Sequence, residues 1–505
     1  MIGAFRRLGR SARRQAIAFL MLGAAPLAHA LSHTAIKYDA YFNDDEDPVT
    51  IGRMSDVENA IGTTYHSIGH GPIETTFPDE WQAGGIKWFR SYINWEDIEP
   101  KTKNAYVFPS DTNKATGAID PDRIKTFYQA MKARGIKVYG TLIGGNRLYH
   151  PVAPGAPLPK YDPLHPELNF LSPQGYAGFC RAFVDRYKDY VDHWELGNEP
   201  HNFGFYEYFG GNQSTGDKYG PHYADYFNLA AQRIREVQPN AKIMTAGEDD
   251  FGLPSVTGFL PAIANNANIL AIHPYVNTAE PTPEGSYGFA IKPYLELAKK
   301  HKIPEVWITE AGWKTEYWGT YKNPLEAGKW TSEIGQAKYL SRGMFFYPIR
   351  CHLKVFGQFC WRTAEPELSL DPMGQATYGF LHQRTQNSDE NVSLAPVRGA
   401  SAQIDFAVKS EGGWGPKIEK YLLIKSAKKI YLVFWIKKTQ EDAFPKKVVN
   451  VRISFPKKQP VASVYSYDPI SGNQSQPAFS TPAKSLQIKN TWVSDYPNLV
   501  EITLQ

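Results

Sequence analysis

The chain has 505 residues, of which 42% are apolar, 21% charged and 14% aromatic, with a formal net charge of +4. That length exceeds one ordinary core and asks for two domains, one of them large, while the composition excludes a disordered or fibrous chain. Arg6, Arg7, Arg10, Arg13 and Arg14 supply the positive excess; residues 31 onward sum to −1, which leaves no electrostatic argument for nucleic acid as a partner.

Residues 1–30 read as a signal peptide. The basic start is followed by an apolar run from Ala16 to Leu27 and by Ala28-His29-Ala30, a small-x-small cleavage pattern. The run is too short to span a bilayer and no later stretch is long and apolar enough, so an exported protein, periplasmic or extracellular, without stable membrane insertion is expected. Residues 31–59 form a polar, acidic lead-in segment that is expected to lend a strand to the C-terminal domain.

From residue 60 to 385 apolar strands alternate with helical stretches. The strands are expected at Thr63–Gly69, Gly85–Tyr92, Ile136–Leu142, a run ending on Glu199, Lys242–Ala246, Ile269–Tyr275, Val306–Glu310 and Val355–Trp361. Helices are expected at Asp79–Gly84, from an Asp120-Pro121 cap to Arg134, and around Tyr176–Tyr190, Ala224–Val237, Pro293–His301 and Glu333–Phe346. Eight short apolar strands separated by helices predict an α/β fold, a (β/α)₈ TIM barrel, with its active site at the carboxyl ends of the strands. The polar and aromatic residues His66, Arg90, Asn198, Glu199, His273, Tyr275, Glu310 and Trp361 all fall at such ends.

Residues 386–505 have a different texture. Alternating runs such as Lys420–Ile424, Ile430–Trp435 and Val448–Ser454, separated by turns such as Asp468-Pro469-Ile470-Ser471-Gly472, predict an all-β sandwich that buttresses the barrel. The three cysteines are Cys180, expected in the core, and Cys351 and Cys360, which flank a strand. No Cys/His spacing suits zinc, and His66 with His70 reads as core or substrate contact, so neither metal nor organic cofactor is expected.

Two strand ends carry the chemistry. His193-Trp194-Glu195-Leu196-Gly197-Asn198-Glu199-Pro200 stops on a proline that cannot continue a central strand, which leaves Asn198 and Glu199 facing the space beyond. Val306-Trp307-Ile308-Thr309-Glu310-Ala311-Gly312 ends a second strand on a glutamate. Strands four and seven face each other across a barrel mouth, and two convergent carboxyl groups are the requirement for glycoside hydrolysis. Glu199 and Glu310 are the expected pair, one the acid/base and the other the nucleophile. Asn198 would bond a sugar hydroxyl and Tyr275 the second oxygen of Glu310. Arg90 would keep Glu310 ionised (its alternative partners being Glu96 and Glu99), and His273 would tune the acid or bind substrate. Trp313, Tyr317 and Trp318 would be sugar platforms and Trp361 a subsite floor. Glu248, Asp249 and Asp250 read as solvated or substrate-contacting.

Trp194–Pro200 and Ile308–Trp313 resemble the strand-four and strand-seven motifs of clan A retaining glycoside hydrolases. Arg90, His273-Pro274-Tyr275 and Trp361 resemble that clan's strand-two, strand-six and strand-eight residues. Trp88-Phe89-Arg90, Trp95–Pro100 and the trailing β-domain are most similar to glycoside hydrolase family 39 and related bacterial exopolysaccharide glycosidases, while Glu-Leu-Gly-Asn-Glu also resembles families 51 and 79. The resemblance covers about residues 60–385. It implies a retaining β-glycosidase acting on an oligo- or polysaccharide, with Glu199 as acid/base and Glu310 as nucleophile. Long segments after strands two, three and four lean towards endo-action, and a monomer is expected. An exo-acting β-xylosidase or uronidase, and a non-catalytic carbohydrate-binding barrel, are the alternatives.

Overall fold

The structure is a computed structural model that describes residues 49–65, 77–108, 111–112, 119–120, 122–143, 146–149, 172–199, 220–248, 253–275, 291–313, 315, 331–361, 370–407, 417–437 and 442–505. The signal-peptide pattern, His66, His70, Asp249, Asp250, Tyr317 and Trp318 lie outside them. Among the described residues no helix is long and apolar enough to cross a membrane.

Eight parallel strands close into a barrel: Ile61–Tyr65, Trp88–Asn94, Lys137–Ile143, His193–Asn198, Lys242–Gly247, Ile269–Ile272, Glu305–Ala311 and Phe356–Gln358. They are numbered one to eight below. Each pairs with its neighbour in sequence, and strand eight closes on strand one through Phe356↔Ile61 and Gln358↔Thr63. The TIM barrel expected from the alternation is therefore present. Strand one begins two residues before its expected start, and strands six and eight end before His273 and Trp361. A β-branched or aromatic residue carries strand propensity beyond the point where the ladder stops, which is why these ends overran.

Local chemistry sets the helix ends. Asp122, not the expected Asp120-Pro121, caps helix Arg123–Ala133 by accepting from the Lys125 amide at 3.0 Å, and Gly135 at φ +70° follows its end. Ser172 caps helix Pro173–Tyr187 by accepting from the Gly175 amide, with Pro173 in its first turn. Helices Met54–Ala60, Leu253–Ile263 and Pro372–Thr385 were not expected. Leu253–Ile263 carries an internal Pro261, which hides a helix from a reading by propensity.

Two antiparallel-rich sheets follow the barrel, one of six strands and one of four. Their inner faces share one core that includes Leu422, Leu432, Phe434 and Val500 from the first sheet and Val449, Ile453, Leu486 and Ile488 from the second, so the C-terminal part is a sandwich. Thr50–Arg53, from the lead-in segment, adds to the edge of the six-stranded sheet, parallel to Ile418–Ser426. All three cysteines are buried free thiols.

The barrel interior is layered. Side chains two apart on a strand share a face, so Trp88, Tyr139, His193 and Trp307 form an aromatic floor; Trp88 lies 4.7 Å and His193 5.0 Å from Trp307, ring to ring. One layer up stand Arg90, Thr141, Glu195 and Thr309, all without solvent exposure. The next layer opens on the mouth.

Candidate active site

Arg90 is the hub of the mouth. It rises from strand two, and its neighbours come from strands two, three, four and seven. Its Nε donates to Glu195 Oε2 at 2.5 Å and to Thr141 Oγ1 at 3.0 Å. One terminal nitrogen donates to Tyr92 Oη and Glu310 Oε1, and the other to Asn198 Oδ1 at 2.7 Å. A buried guanidinium is costly unless its donors are paired, and here two carboxylates share it. Burial opposes its charge, but Glu195, Tyr92 and Glu310 outweigh burial and hold the group well above its ordinary value. The alternative partner Glu99 is engaged elsewhere, accepting from Trp95 Nε1 at 2.6 Å and Tyr149 Oη at 2.7 Å.

Glu310 ends up in the barrel by breaking the strand alternation. Trp307 and Thr309 face inward, so strict period two would turn Glu310 outward. The register of strand seven against strand eight shifts between Ile308 and Ala311. A bulge of that kind re-aims a side chain, and both Thr309 and Glu310 reach the interior. There Glu310 Oε1 accepts from Arg90 and Tyr92, and Oε2 accepts from Tyr275 Oη at 2.7 Å. Burial would raise the carboxyl pKa, but His273, Arg90 and the two phenol hydrogen bonds outweigh it and bring it down to about 2. Glu310 is therefore a carboxylate at neutral pH. Burial pushes both phenols up, against the pull of Arg90 in the case of Tyr92, and Glu310 adds to the rise, so both remain donors.

Strand four breaks the alternation a second time. Glu195 and Asn198 both touch Arg90 although they are three residues apart. Gly197 at φ +96° lies between them, a conformation that costs glycine nothing, and Glu199 follows at φ +41°. The Glu199 amide still donates to the Gly247 carbonyl at 2.8 Å, which anchors the strand end to strand five. The Glu199 side chain meets His273: Nδ1 and Oε1 are 2.6 Å apart. His273 is fully buried, with Nε2 3.0 Å from Thr309 Oγ1. Burial disfavours its imidazolium, but Glu310 and the bond to Glu199 outweigh burial and raise it above its ordinary value.

Six expected site residues thus share one network: Glu199, Glu310, Arg90, Asn198, His273 and Tyr275. Two do not join it. Trp361 follows the end of strand eight and turns outward, where its ring packs on Tyr378 at 5.8 Å and its Nε1 donates to Glu80 Oε2 at 3.3 Å, between two outer helices. Trp313 stacks on Tyr339 of helix Glu333–Phe345, centroids 5.6 Å apart and 14° from parallel, and is 2% exposed. Both tryptophans, expected as platform and floor, fill the layer between barrel and helices. Phe359, edge-on to Tyr275 at 6.5 Å, is the aromatic of that segment next to the mouth. Glu248, expected in solvent or against substrate, is buried and accepts from Ser255 Oγ at 3.2 Å.

Tyr92, Thr141, Glu195 and Thr309 were not singled out from sequence. The signal was there in the inward positions Trp88-x-Arg90-x-Tyr92 and Trp307-x-Thr309. One donor atom each from Glu199, His273 and Glu310 lies within 4.8 Å of the others, a spacing that a cation could bridge. Those atoms are already committed, to each other and to the Arg90 and tyrosine donors. A cation would have to share Glu310 with the Arg90 guanidinium, which repels it.

No family model and no curated protein matches the sequence. Solved structures do match. A family 39 glycoside hydrolase from Bacteroides cellulosilyticus WH2 is 16% identical with a TM-score of 0.54, over 89% of this chain and 82% of that one. A GH30 endoxylanase from Clostridium papyrosolvens C71 is 11% identical with a TM-score of 0.52, over 91% of this chain and 100% of that one. A glucosidase from Croceicoccus marinus is 12% identical with a TM-score of 0.51, over 91% and 99%. At such identities the likeness is one of fold: barrel and β-domain together.

Proposed function

We propose that the chain is a retaining β-glycosidase. The observation that carries this reading is the approach of Glu199 and Glu310, one oxygen of each within 4.8 Å of the other. Retention requires carboxyl groups about 5–5.5 Å apart, whereas inversion needs about 6.5–9.5 Å to admit a water. The fold shared with glycoside hydrolases supports the reading by analogy alone.

In the first step an oxygen of Glu310 forms a bond to the anomeric carbon. The glycosidic C–O bond breaks, and the leaving oxygen takes a proton from Glu199. In the second step Glu199 removes a proton from water, the water oxygen bonds to the anomeric carbon, and Glu310 leaves as carboxylate. Arg90, Tyr92 and Tyr275 hold Glu310 ionised and aimed. Asn198 is fixed by its oxygen to Arg90, which leaves its amide nitrogen as the donor for a sugar hydroxyl. An oligo- or polysaccharide is the substrate, the lengths of the segments after strands two, three and four favour endo-action, and the chain acts as a monomer. The leader pattern favours export; recovery from the periplasm or medium of a chain beginning at Leu31 tests that.

The test of function is a polysaccharide panel with analysis of product length and of the anomer first released. The unmodified chain should release the β-anomer as oligosaccharides, and Glu310→Gln should lower the rate by more than about 1,000-fold, the order that loss of an activated nucleophile costs. First release of the α-anomer, or full activity in Glu310→Gln, would overturn the reading.

A further inference from the structure

Beneath the mouth a buried polar chain runs from strand two to Glu199 without touching the space a sugar would fill. Glu195 Oε2 accepts from Arg90 Nε at 2.5 Å and from Thr141 Oγ1 at 2.6 Å. Its other oxygen, Oε1, accepts from Thr309 Oγ1 at 2.9 Å. Thr309 Oγ1 is 3.0 Å from His273 Nε2, and His273 Nδ1 is 2.6 Å from Glu199 Oε1. Arg90, Thr141, Glu195, Thr309 and His273 are all fully buried.

The hydrogen bonds along this chain favour one placement of the His273 proton. A carboxylate salt-bridged to a guanidinium only accepts. Thr309 has a single hydroxyl proton, and Glu195 takes it. Towards His273 the same oxygen can then only accept, so Nε2 carries a proton. A neutral His273 consequently has a bare Nδ1, and the hydroxyl of a protonated Glu199 donates to it. When His273 is an imidazolium, Nδ1 donates to the Glu199 carboxylate instead. Either way one proton lies between Nδ1 and Oε1. The other neutral tautomer would turn the Nε2 lone pair on the Thr309 oxygen and leave a buried contact unmade, which is unfavourable.

Packing holds the ring in that orientation. A Cβ on Gly247 would stand 2.0 Å from His273 Nε2, so strand five comes as close as a backbone can. The His273 amide donates to the Glu248 carbonyl at 2.7 Å. The charged and titratable groups facing the ring are Glu199 from strand four, Glu310 from strand seven (Oε2 3.7 Å from Nδ1), Arg90 from strand two, Tyr275 from its own segment, and Glu248 behind it.

We propose that Glu195 and Thr309 are positioning residues that lock His273 in its Nε2–H form, so that the proton shared by His273 Nδ1 and Glu199 is the one delivered to the leaving oxygen. The tautomer follows from the hydrogen-bond chain alone; only the delivery rests on Glu199 being the acid/base.

Nitrogen NMR of the full chain labelled on histidine tests it, with His273 assigned by the resonances lost in His273→Gln. The neutral ring should show a protonated Nε2 and a bare Nδ1. Thr309→Val removes the acceptor, so the proton should move to Nδ1, and Thr309→Ser should restore the original form. With Nδ1 holding its own proton the shared one is lost, so the alkaline limb of polysaccharide hydrolysis should move to lower pH in Thr309→Val and return in Thr309→Ser. Loss of packing alone would lower the rate at every pH and leave the limb in place. A neutral wild-type His273 protonated on Nδ1, or a Thr309→Val ring still protonated on Nε2, overturns the proposal; the wild-type spectrum decides even where the valine variant does not fold. Expected spectra from a chain that hydrolyses no glycan would keep the relay and sink the glycosidase reading instead.

Discussion

At the scale of single residues, the mouth depends on how charge is shared. Arg90 binds Glu195 and Glu310 at once, and two phenols complete the cradle of Glu310. The Glu310 carboxyl sits at about 2, below its ordinary value, so its contribution to stability is present above about 4.5 and is lost as pH falls towards about 2. The acid limb of activity should lie equally low. Tyr275→Phe deletes one donor to the carboxylate, and a hydrogen bond to a charged group is worth about 1.5–3 kcal/mol. The limb should therefore move up by about one to two pH units, as read from rate–pH profiles. An unmoved limb would mean that Tyr275 does not hold Glu310. Arg90, Glu199, Glu310, Asn198, His273 and Tyr275 were legible because each stands at a strand end beside a residue type suited to acid/base or carboxylate chemistry. Tyr92, Glu195 and Thr309 were passed over because their importance comes from partners on other strands.

At the scale of elements, the site exists because two strands abandon period two at their carboxyl ends. Strand seven uses a register shift between Ile308 and Ala311, and strand four uses Gly197 at φ +96°. A Cβ at Gly197 forces an L-residue into the left-handed region, which costs about 1–2 kcal/mol. Gly197→Ala should lose about that much stability in denaturant titration. It should also lose at least tenfold in hydrolysis rate, since Asn198 and Glu199 are aimed by that backbone. A Gly197→Ala chain as active as the original would show that their aim is set elsewhere. The strands and most helices were legible from apolar periodicity, whereas helix Leu253–Ile263 was obscured by Pro261. Trp361 stands behind the barrel wall because the strand expected to run through it stops at Gln358 and the chain turns outward before the tryptophan.

At the scale of the molecule, barrel and sandwich are joined by buried charge. Lys338 of helix Glu333–Phe345 meets Asp495 of the sandwich at 3.0 Å with both side chains inaccessible, and Arg342 donates to the Asp495 carbonyl. Arg350 and Lys437 converge on Glu419 at 3.1 Å and 2.9 Å. Removing one member of a buried pair costs about 3–5 kcal/mol, because the remaining charge keeps its desolvation penalty. Asp495→Asn should lower unfolding stability by that order in chemical denaturation, and a change under about 1 kcal/mol would show that the pair does not join the two parts. A chain ending at Thr385 loses Asp495 and Glu419 together and should not fold. A soluble, active chain of that length would make the sandwich an independent module.

The sequence by itself determined the barrel, the β-sandwich and the two strand-end glutamates, because apolar periodicity and a proline stop act locally and leave their mark residue by residue. Tertiary structure alone decided which side chains meet at the mouth. Arg90 joins strands two, four and seven, the Glu195–Thr309–His273 chain adds two more contacts across the interior, and both tryptophans expected at the mouth pack behind it. Such contacts arise from barrel closure, which brings residues more than 100 positions apart within hydrogen-bond reach, and from two local departures from strand alternation whose direction only the packed backbone fixes.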